Sequence, residues 1–235
     1  MCLINLESDR KVMKDMLKKW MPKRIIIQLI ILLAVHCASY YGAKYIINGG
    51  DYYYIGSALD SRIPLLPWSV IFYYGCFFLW LVYYTLILNT EPEGTYRFFR
   101  AEILGKIICF LFYVLVPTTM IRPIVTGTGF FPNVIKMMYS IDTPDALFPS
   151  MHCFVSWMCV VGLRGKPEIP RKHRIIAVIA ALLVFMATLT TKQHVIVDVI
   201  SGVLLAELVY FISGLFPNSK SDSKHFSLRR INHEY

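Results

Sequence analysis

The sequence predicts an all-α integral membrane protein with six transmembrane helices. Of its 235 residues, 56% are hydrophobic and only 17% are charged, which is typical of a membrane protein. The apolar residues also fall in long blocks rather than in short periodic stripes. A helix needs roughly 20 mostly apolar residues to cross the hydrocarbon core, because lipid offers the backbone no hydrogen-bond partner. We therefore interpret the long blocks as membrane spans.

Six blocks are candidates for these spans. The third, fourth and fifth are short and need their flanking residues to cross the bilayer. The first apolar run begins only after Arg24, is long and lacks a small-residue cleavage site, so we do not expect a signal peptide. The predicted spans are residues 25–47, 68–88, 103–117, 151–163, 175–189 and 195–216.

The spans define one membrane domain, residues 24–217, between two tails. The N-terminal tail, residues 1–23, places Met13, Met16, Leu17 and Trp20 among lysines, a pattern that predicts an amphipathic helix on the inner leaflet. The C-terminal tail, residues 218–235, is polar and rich in Ser and Lys, so we expect it to be disordered.

The distribution of basic residues predicts the orientation. With the N-terminus inside, 18 of the 24 Lys and Arg residues are cytoplasmic: seven in the tail up to Arg24, two in the 89–100 loop, five in the 164–174 loop and four in the C-terminal tail. The opposite loops hold only Arg62, Arg122, Lys136 and Lys192. The positive-inside rule then places both termini in the cytoplasm. The net charge of +9 needs no nucleic-acid partner, since topology and anionic lipid account for it.

The cysteines do not predict a metal site. Five of the six lie inside predicted spans, and neither a C-x-x-C pair nor a Cys/His zinc spacing is present. We interpret them as small buried hydrophobic residues and expect no metal and no other cofactor.

Polar residues collect at one side of the predicted membrane domain. Arg122 follows the third span, Ser150 and His152 open the fourth, and His194 and Asp198 open the sixth. The predicted orientation puts all five on the extracytoplasmic face. Because polar groups at membrane depth are costly, their convergence on one face indicates a functional site.

The spacing of these residues is suited to phosphoryl chemistry. His194 and Asp198 are four apart, so on a helix they share a face, and the carboxylate can hold one ring nitrogen while the other acts as a nucleophile. His152 can protonate a leaving alkoxide. Arg122 offers a planar fork for phosphate oxygens, and Lys192 adds a point charge.

The string F-P-S-M-H predicts an anion site at the start of the fourth span. Pro149 suits the first turn of a helix, where the Ser150 hydroxyl and free backbone N–H groups would face an anion. Asp142 and Asp145 are expected to cap the loop that precedes the fourth span, or to adjust the proton affinity of His152.

Each residue alone also has an ordinary explanation. A histidine near a helix end is commonly structural, an interfacial arginine such as Arg122 is commonly solvated or bound to headgroups, and an i, i+4 His/Asp pair can simply stabilise a helix. Their joint placement on one face favours the functional interpretation.

These strings resemble the type-2 phosphatidic acid phosphatase superfamily, six-helix membrane proteins whose motifs include P-S-x-H and a later H-x-x-x-D. Pro149, Ser150 and His152 match the first motif, and His194 and Asp198 match the second. The longer strings Y-S-I-D-T-P-D-A-L-F-P-S-M-H and T-T-K-Q-H-V-I-V-D-V-I-S-G look like the branch that includes inositol phosphorylceramide synthases. The resemblance covers about residues 117–202, and the first two spans carry no matching motif.

The resemblance implies a role for each residue. His194 would be the nucleophile that forms a phosphohistidine, Asp198 its orienting partner, and His152 the acid for the leaving alcohol. The phosphate oxygens would be held by Arg122, Ser150 and Lys192.

Two cations of the family's phosphate clamp are missing from this chain. A K-x6-R-P pattern would need Lys where Leu115 stands, and the S-R pair before the nucleophile is replaced by Ala187 and Thr188. Lys192 or Lys136 is the expected substitute.

The predicted function is a lipid-phosphate phosphatase of the plasma membrane that acts at the extracytoplasmic face through a phosphohistidine. Its expected partners are a membrane lipid phosphate and the bilayer, and Arg and Lys supply the positive charge that a metal would otherwise bring. One alternative is a phosphotransferase that moves the phospho-headgroup to an alcohol. Another is a non-catalytic lipid transporter, which needs neither a nucleophile nor an acid. The lipid, the acceptor and the oligomeric state stay open.

The orientation can be tested by cysteine labelling after the native cysteines are removed. A cysteine placed within residues 126–133 should react with a membrane-impermeant thiol reagent in whole cells, because the charge asymmetry puts that loop outside. A cysteine near Lys166 should not react. The reverse pattern would move the site to the cytoplasmic face.

Overall fold

The computed structural model describes residues 21–47 and 50–216 and is predominantly helical. The predicted tail 218–235, and all but the last three residues of the tail 1–23, lie outside the described residues. Two short strands, β1 (Tyr53–Tyr54) and β2 (Thr118–Thr119), pair in parallel, and a 3₁₀ turn spans Pro67–Ser69. The helices are α1 (Lys23–Ile47), α2 (Ala58–Arg62), α3 (Val70–Leu88), α4 (Pro92–Leu115), α5 (Phe130–Ile141), α6 (Met151–Gly162), α7 (Arg171–Thr190) and α8 (Ile196–Gly214).

The all-α prediction is confirmed, and four helical segments are long and apolar enough to cross a membrane. These are α1, the 3₁₀ turn together with α3, α7 and α8, while α6 is a shorter apolar helix. Large apolar side chains on these helices are exposed at the surface, including Leu33, Phe78 and Phe211. A surface of this kind suits hydrocarbon rather than water. Length and composition thus support four of the six predicted spans.

The third predicted span needs a correction. Residues 103–115 form the second half of a longer helix, α4, which begins at Pro92 and carries several charged residues, and residues 116 and 117 lie beyond its end. Glu102 and Lys106 are 0% and 2% exposed, and the Lys106 ammonium lies 2.8 Å from the Glu102 carboxylate. Lys106 also donates to the Leu32 carbonyl at 3.1 Å, and the Tyr84 hydroxyl donates to Glu102. Charged residues are tolerated inside the bundle because they satisfy one another.

Helix α6 lies at the centre of the bundle and packs against α3, α4, α7 and α8. Ten of its 12 residues are buried. The Trp80 indole on α3 donates to the Ser156 hydroxyl at 3.0 Å, so even the polar groups of this face are paired. A helix enclosed on all sides holds the residues at its N-terminus in fixed positions.

Helix α8 approaches the start of α6 closely because residue 202 is a glycine. A Cβ atom at Gly202 would lie 2.7 Å from the Ser150 carbonyl oxygen, a distance that real Cβ atoms essentially never show, and a tight 3.1 Å from the Cys153 Cβ. The close approach lets the Ser150 N–H donate to the Asp198 carbonyl at 3.1 Å. The beginnings of the fourth and sixth predicted spans are thereby joined.

The loops at this end of the bundle are held by hydrogen bonds. The Thr118 hydroxyl in β2 accepts from the N–H groups of Leu147 and Phe148 at 3.2 and 3.0 Å, just before the cis Phe148–Pro149 bond. The Tyr113 hydroxyl at the end of α4 donates to the Pro149 carbonyl at 2.7 Å. The chain that leads into α6 is therefore positioned from two sides.

Candidate active site

The turn between α7 and α8 positions His194. Helix α7 ends at Thr190, and Lys192 has a φ of 54°, in the left-handed region that often ends a helix. The N–H groups of Gln193 and His194 both donate to the Thr188 carbonyl, at 3.0 and 3.1 Å. The turn thus fixes the backbone on which two adjacent side chains, Gln193 and His194, are carried.

His194 and Asp198 make the contact expected from their spacing. Nδ1 of His194 lies 3.2 Å from Oδ2 of Asp198, which is 0% exposed. The same oxygen accepts the Val195 N–H at 3.0 Å and so caps the start of α8. Within the described residues, the other ring nitrogen of His194, Nε2, has no hydrogen-bond partner. The ring is therefore held through one nitrogen, and the other is left for a ligand.

His152 faces His194 from the first turn of α6. The two ring centroids are 5.9 Å apart. The His152 ring stacks on the Tyr73 ring of α3, with centroids 4.5 Å apart. It also contacts the Trp80 ring, on α3 as well, at 5.7 Å between centroids. Aromatic packing from α3 thus fixes the orientation of the imidazole.

Arg122 joins the segment after β2 to the turn that carries His194. Its guanidinium donates to the Lys192 carbonyl at 3.2 Å, the Asp142 carbonyl at 2.5 Å and the Gln193 side-chain oxygen at 2.6 Å, and it lies over the Tyr139 ring. Of its five N–H groups, one on each terminal nitrogen is left over within the described part of the chain. Arg122 can therefore hold the turn and still bind a ligand.

Three of the six predicted site residues line one cavity of about 270 Å³: Arg122, His152 and His194. Asp198 lies behind His194 and does not line it. The cavity combines a histidine with a free nitrogen, a second histidine and a cation, which is the set of groups needed to transfer a phosphoryl group.

Ser150 and Lys192 do not line this cavity, contrary to the expectation that they bind phosphate. Ser150 is fully buried, and its hydroxyl caps α6 by accepting the Cys153 N–H at 3.3 Å. Pro149 precedes this cap and does not occupy the first turn of the helix. The backbone N–H of Ser150 donates to the backbone carbonyl of Asp198. The Lys192 ammonium donates to the Asp60 carbonyl at 2.8 Å, which holds α2 against the turn.

The second cation of the cavity is Lys44, near the end of α1. Its ammonium lies 2.8 Å from Asp142 and 2.5 Å from Asp145, and the Tyr40 hydroxyl donates to Asp142 at 2.5 Å. Both carboxylates therefore pair with Lys44 rather than acting as simple loop caps. Sequence reasoning missed Lys44, although a lysine inside a predicted span is itself a signal of function.

Lys136, the other expected substitute for the missing cations, is not part of the site. Its ammonium donates to the Gly127 carbonyl at 2.9 Å in an exposed position, and it does not line the cavity. The cations of the cavity therefore come from Arg122 and Lys44.

The surroundings of Asp142 and Arg122 keep both groups charged. Burial alone would raise the pKa of Asp142, but hydrogen bonds from Lys44 and Tyr40 outweigh burial and lower that pKa below its ordinary value. Burial lowers the pKa of Arg122, opposed by the charge of Asp142. The ordinary pKa of an arginine side chain is so high that Arg122 stays protonated. The lining thus holds two cations, Lys44 and Arg122, and two carboxylates, Asp142 and Asp145.

A second, apolar cavity of about 300 Å³ adjoins the first. It lies among α1, α3, α4 and α6 and is lined mainly by aliphatic and aromatic side chains, with Lys106 at its wall. Leu33, His36 and Phe77 line both cavities. A ligand with a polar end and a hydrocarbon chain could occupy both spaces at once.

Neither a family model nor a curated protein matches this chain. Within residues 21–47 and 50–216, no group of three or more His, Cys, Asp and Glu side chains could hold a metal ion. The functional interpretation therefore rests on the motifs and on the geometry of the cavity.

The ion pairs of Lys44 predict a pH-dependent contribution to stability. Lys44→Met leaves Asp142 and Asp145 without their cation, and losing a charged hydrogen bond should lower the free energy of unfolding at pH 7 by roughly 1.5–3 kcal/mol. Because the folded-state pKa of Asp142 is depressed, the stabilisation is present above the unfolded pKa and is lost as the pH falls through the folded pKa.

The measurement is thermal unfolding of the purified protein in detergent across a pH series. The difference between wild type and Lys44→Met should be largest near neutral pH and should shrink below a pH of about 4, the ordinary carboxyl pKa. Lys136→Met, which removes an exposed lysine, is the matched control. A difference that does not change with pH would contradict this account of Lys44.

Proposed function

We propose that this protein is a membrane lipid-phosphate phosphatase in which His194 is the nucleophile. The observation that carries the proposal is the pairing of His194 with buried Asp198 at the wall of a cavity that also holds His152 and Arg122. Binding alone does not require a free imidazole nitrogen, its carboxylate partner and a second imidazole in one place. A catalytic cycle does.

In the first step, Nε2 of His194 attacks phosphorus and the bond to the leaving alcohol oxygen breaks. The imidazole becomes positively charged as the N–P bond forms, and the Asp198 carboxylate, 3.2 Å from Nδ1, stabilises that charge. The product is a phosphohistidine and a lipid alcohol. The contact of Asp198 with Val195 N–H keeps the carboxylate fixed during this step.

In the first step the protonated His152 imidazole donates its proton to the leaving alcohol oxygen and becomes neutral. An in-line displacement places the nucleophile roughly 3–3.5 Å from the atom it attacks. The acid stands a hydrogen-bond length, about 2.6–3.2 Å, from the leaving oxygen. With the P–O bond between them, these two lengths together exceed the 5.9 Å between the ring centroids. We therefore place the phosphoryl group beside the two rings, in the cavity that both histidines line. In the second step His152 accepts a proton from water, whose oxygen attacks phosphorus and releases phosphate from His194.

Arg122 stabilises the charge on the phosphoryl oxygens. Its leftover N–H groups are fixed by three protein hydrogen bonds, so they need no reorganisation when charge develops. The ammonium of Lys44 is shared with Asp142 and Asp145, so its net attraction for an anion is weaker. We therefore assign the main phosphate contact to Arg122.

A lipid substrate fits the two adjoining cavities. The phosphate would lie beside the two histidines, and the hydrocarbon would extend past Phe77 and Leu33 into the apolar cavity. We further propose that α4 and α6 complete a six-span bundle. The distribution of basic residues then places the site at the extracytoplasmic face of the plasma membrane, with both termini inside.

A second candidate is transfer of a phospho-headgroup to an alcohol, and the charge balance of the cavity favours it. Asp142 and Asp145 offset Lys44 and Arg122, so the lining is close to neutral. Taking a dianionic phosphate monoester out of water costs more than taking out a singly charged phosphodiester, and a lining close to neutral offsets little of that cost. In transfer, a lipid alcohol would replace water in the second step, and the role of His194 would not change.

The first test is phosphate release from a panel of short-chain lipid phosphates and phosphodiesters by purified protein, with and without an acceptor alcohol. Lipid mass spectrometry distinguishes hydrolysis from transfer. We expect turnover to survive EDTA, because side chains supply the positive charge, and to be blocked by vanadate, a mimic of pentacoordinate phosphorus. Loss of activity in EDTA with rescue by zinc or magnesium would refute the proposed mechanism.

The two histidines should respond differently to the leaving group. His152→Ala removes the proton donor and should slow turnover of a lipid phosphate by about 100-fold or more. With a nitrophenyl phosphate, whose leaving group needs little protonation, His152→Ala should keep much of its activity. His194→Ala should be inactive with both substrates, because the nucleophile is gone. Asp198→Asn should fall between the two variants.

The covalent intermediate gives an independent measurement. After a rapid quench with labelled substrate, acid-labile phosphate should be bound to the wild-type protein and should be missing from His194→Ala. Label that persists without His194 would show that another residue is the nucleophile.

A further inference from the structure

Gln193 is the most unusual polar residue of the cavity wall. It is only 2% exposed, and it lines the same cavity as His194, its neighbour in the chain. Its side-chain oxygen accepts from Arg122 at 2.6 Å, but its Nε2 has no hydrogen-bond partner within the described residues. A buried amide N–H2 group without a partner is destabilising, so its presence needs an explanation.

The orientation of this amide is fixed by chemistry. An arginine guanidinium has donors and no acceptor. Turning the amide over would place Nε2 against the Arg122 donor and leave two N–H groups facing each other. The oxygen of Gln193 must therefore point to Arg122, and the N–H2 group must be the unpaired end.

The backbone holds this side chain beside the nucleophile. The N–H groups of Gln193 and His194 bond to one carbonyl, that of Thr188, and Lys192 before them adopts the left-handed conformation. Arg122 also binds the Lys192 carbonyl, so both sides of the turn are anchored. Gln193 therefore cannot relieve its unpaired N–H2 group without breaking contacts that also position His194.

We propose that Nε2 of Gln193 donates a hydrogen bond to a phosphoryl oxygen of the substrate, which makes Gln193 a phosphate-binding residue. The assignment of the ligand as a phosphoryl group rests on the proposed function. The charge of Arg122 polarises the amide through its oxygen and strengthens Nε2 as a donor. Gln193 thereby extends the effect of Arg122 toward His194, in a cavity where carboxylates offset the second cation, Lys44.

The test uses the full-length protein in detergent and three variants. Gln193→Glu keeps an oxygen for Arg122 but replaces the donor with an acceptor and adds a negative charge. Gln193→Met removes the donor and adds no charge. Asn133→Asp, at an exposed position on α5 that does not line the cavity, makes the same amide-to-acid change and is the matched control.

Binding is measured with inorganic phosphate and with orthovanadate, as the concentration-dependent rise in unfolding temperature, which yields Kd. Gln193→Met should weaken binding by about 10-fold, the effect of one hydrogen bond to a charged group. Gln193→Glu should weaken it by about 100-fold or more, because a charge opposes the anion as well. Asn133→Asp should bind as wild type does. The unfolding temperature without ligand reports whether each variant is folded.

Two results would overturn the inference: unchanged anion binding in both Gln193 variants, or no binding of either anion by the wild type. Turnover is measured on the same samples and decides the proposed function separately. Anion binding that depends on Gln193, without turnover of any lipid, supports this inference and refutes the phosphatase. Turnover of a lipid phosphate, with anion binding that is unchanged in both Gln193 variants, supports the phosphatase and refutes this inference.

Discussion

The close approach of α8 to the first turn of α6 is the constraint on which the site depends. Only a glycine at position 202 allows it, and it brings the Ser150 N–H within 3.1 Å of the Asp198 carbonyl. His152 follows Ser150, and His194 is bonded to Asp198. The contact therefore fixes the separation of the two histidines. A side chain at position 202 would push the helices apart and move both rings, although it touches neither.

Local partners explain how charged side chains persist in this apolar bundle. Asp198 is fully buried, yet its carboxylate accepts from Val195 N–H at the start of α8, where the helix dipole favours a negative charge. Arg122 is satisfied by two carbonyls and one amide oxygen. On α4, the buried side chains of Glu102 and Lys106 likewise form an ion pair with each other. Each of these buried charges has at least one local partner, and donors without a partner, such as those of Arg122, remain for a ligand.

Sequence reasoning could predict the parts of this arrangement that are local. The long apolar blocks predicted most of the described helices, and the i, i+4 spacing predicted the contact of His194 with Asp198. Lys44 entered the cavity through the packing of α1, which no local pattern reveals. Ser150 was expected to bind phosphate, but it is fully buried at the start of α6, where its hydroxyl caps the helix, and it does not line the cavity. The span 103–117 was too short, because hydropathy does not detect charged residues that pair inside a bundle.

The junction of the two cavities bears on the choice between water and an alcohol as acceptor. Phe77 and His36 line both spaces, and Phe77 also contacts the His152 ring, at 6.1 Å between centroids. A lipid whose chain fills the apolar cavity would close this side of the polar one. An acceptor would then meet the polar lining of the first cavity, which includes Lys44, Asp142 and Asp145. Carboxylates on that path can accept hydrogen bonds from the hydroxyl groups of an alcohol as readily as from water. Under the proposed function, the hydrogen bonding of these side chains would help to select the acceptor, and His194 would perform the same step in either reaction.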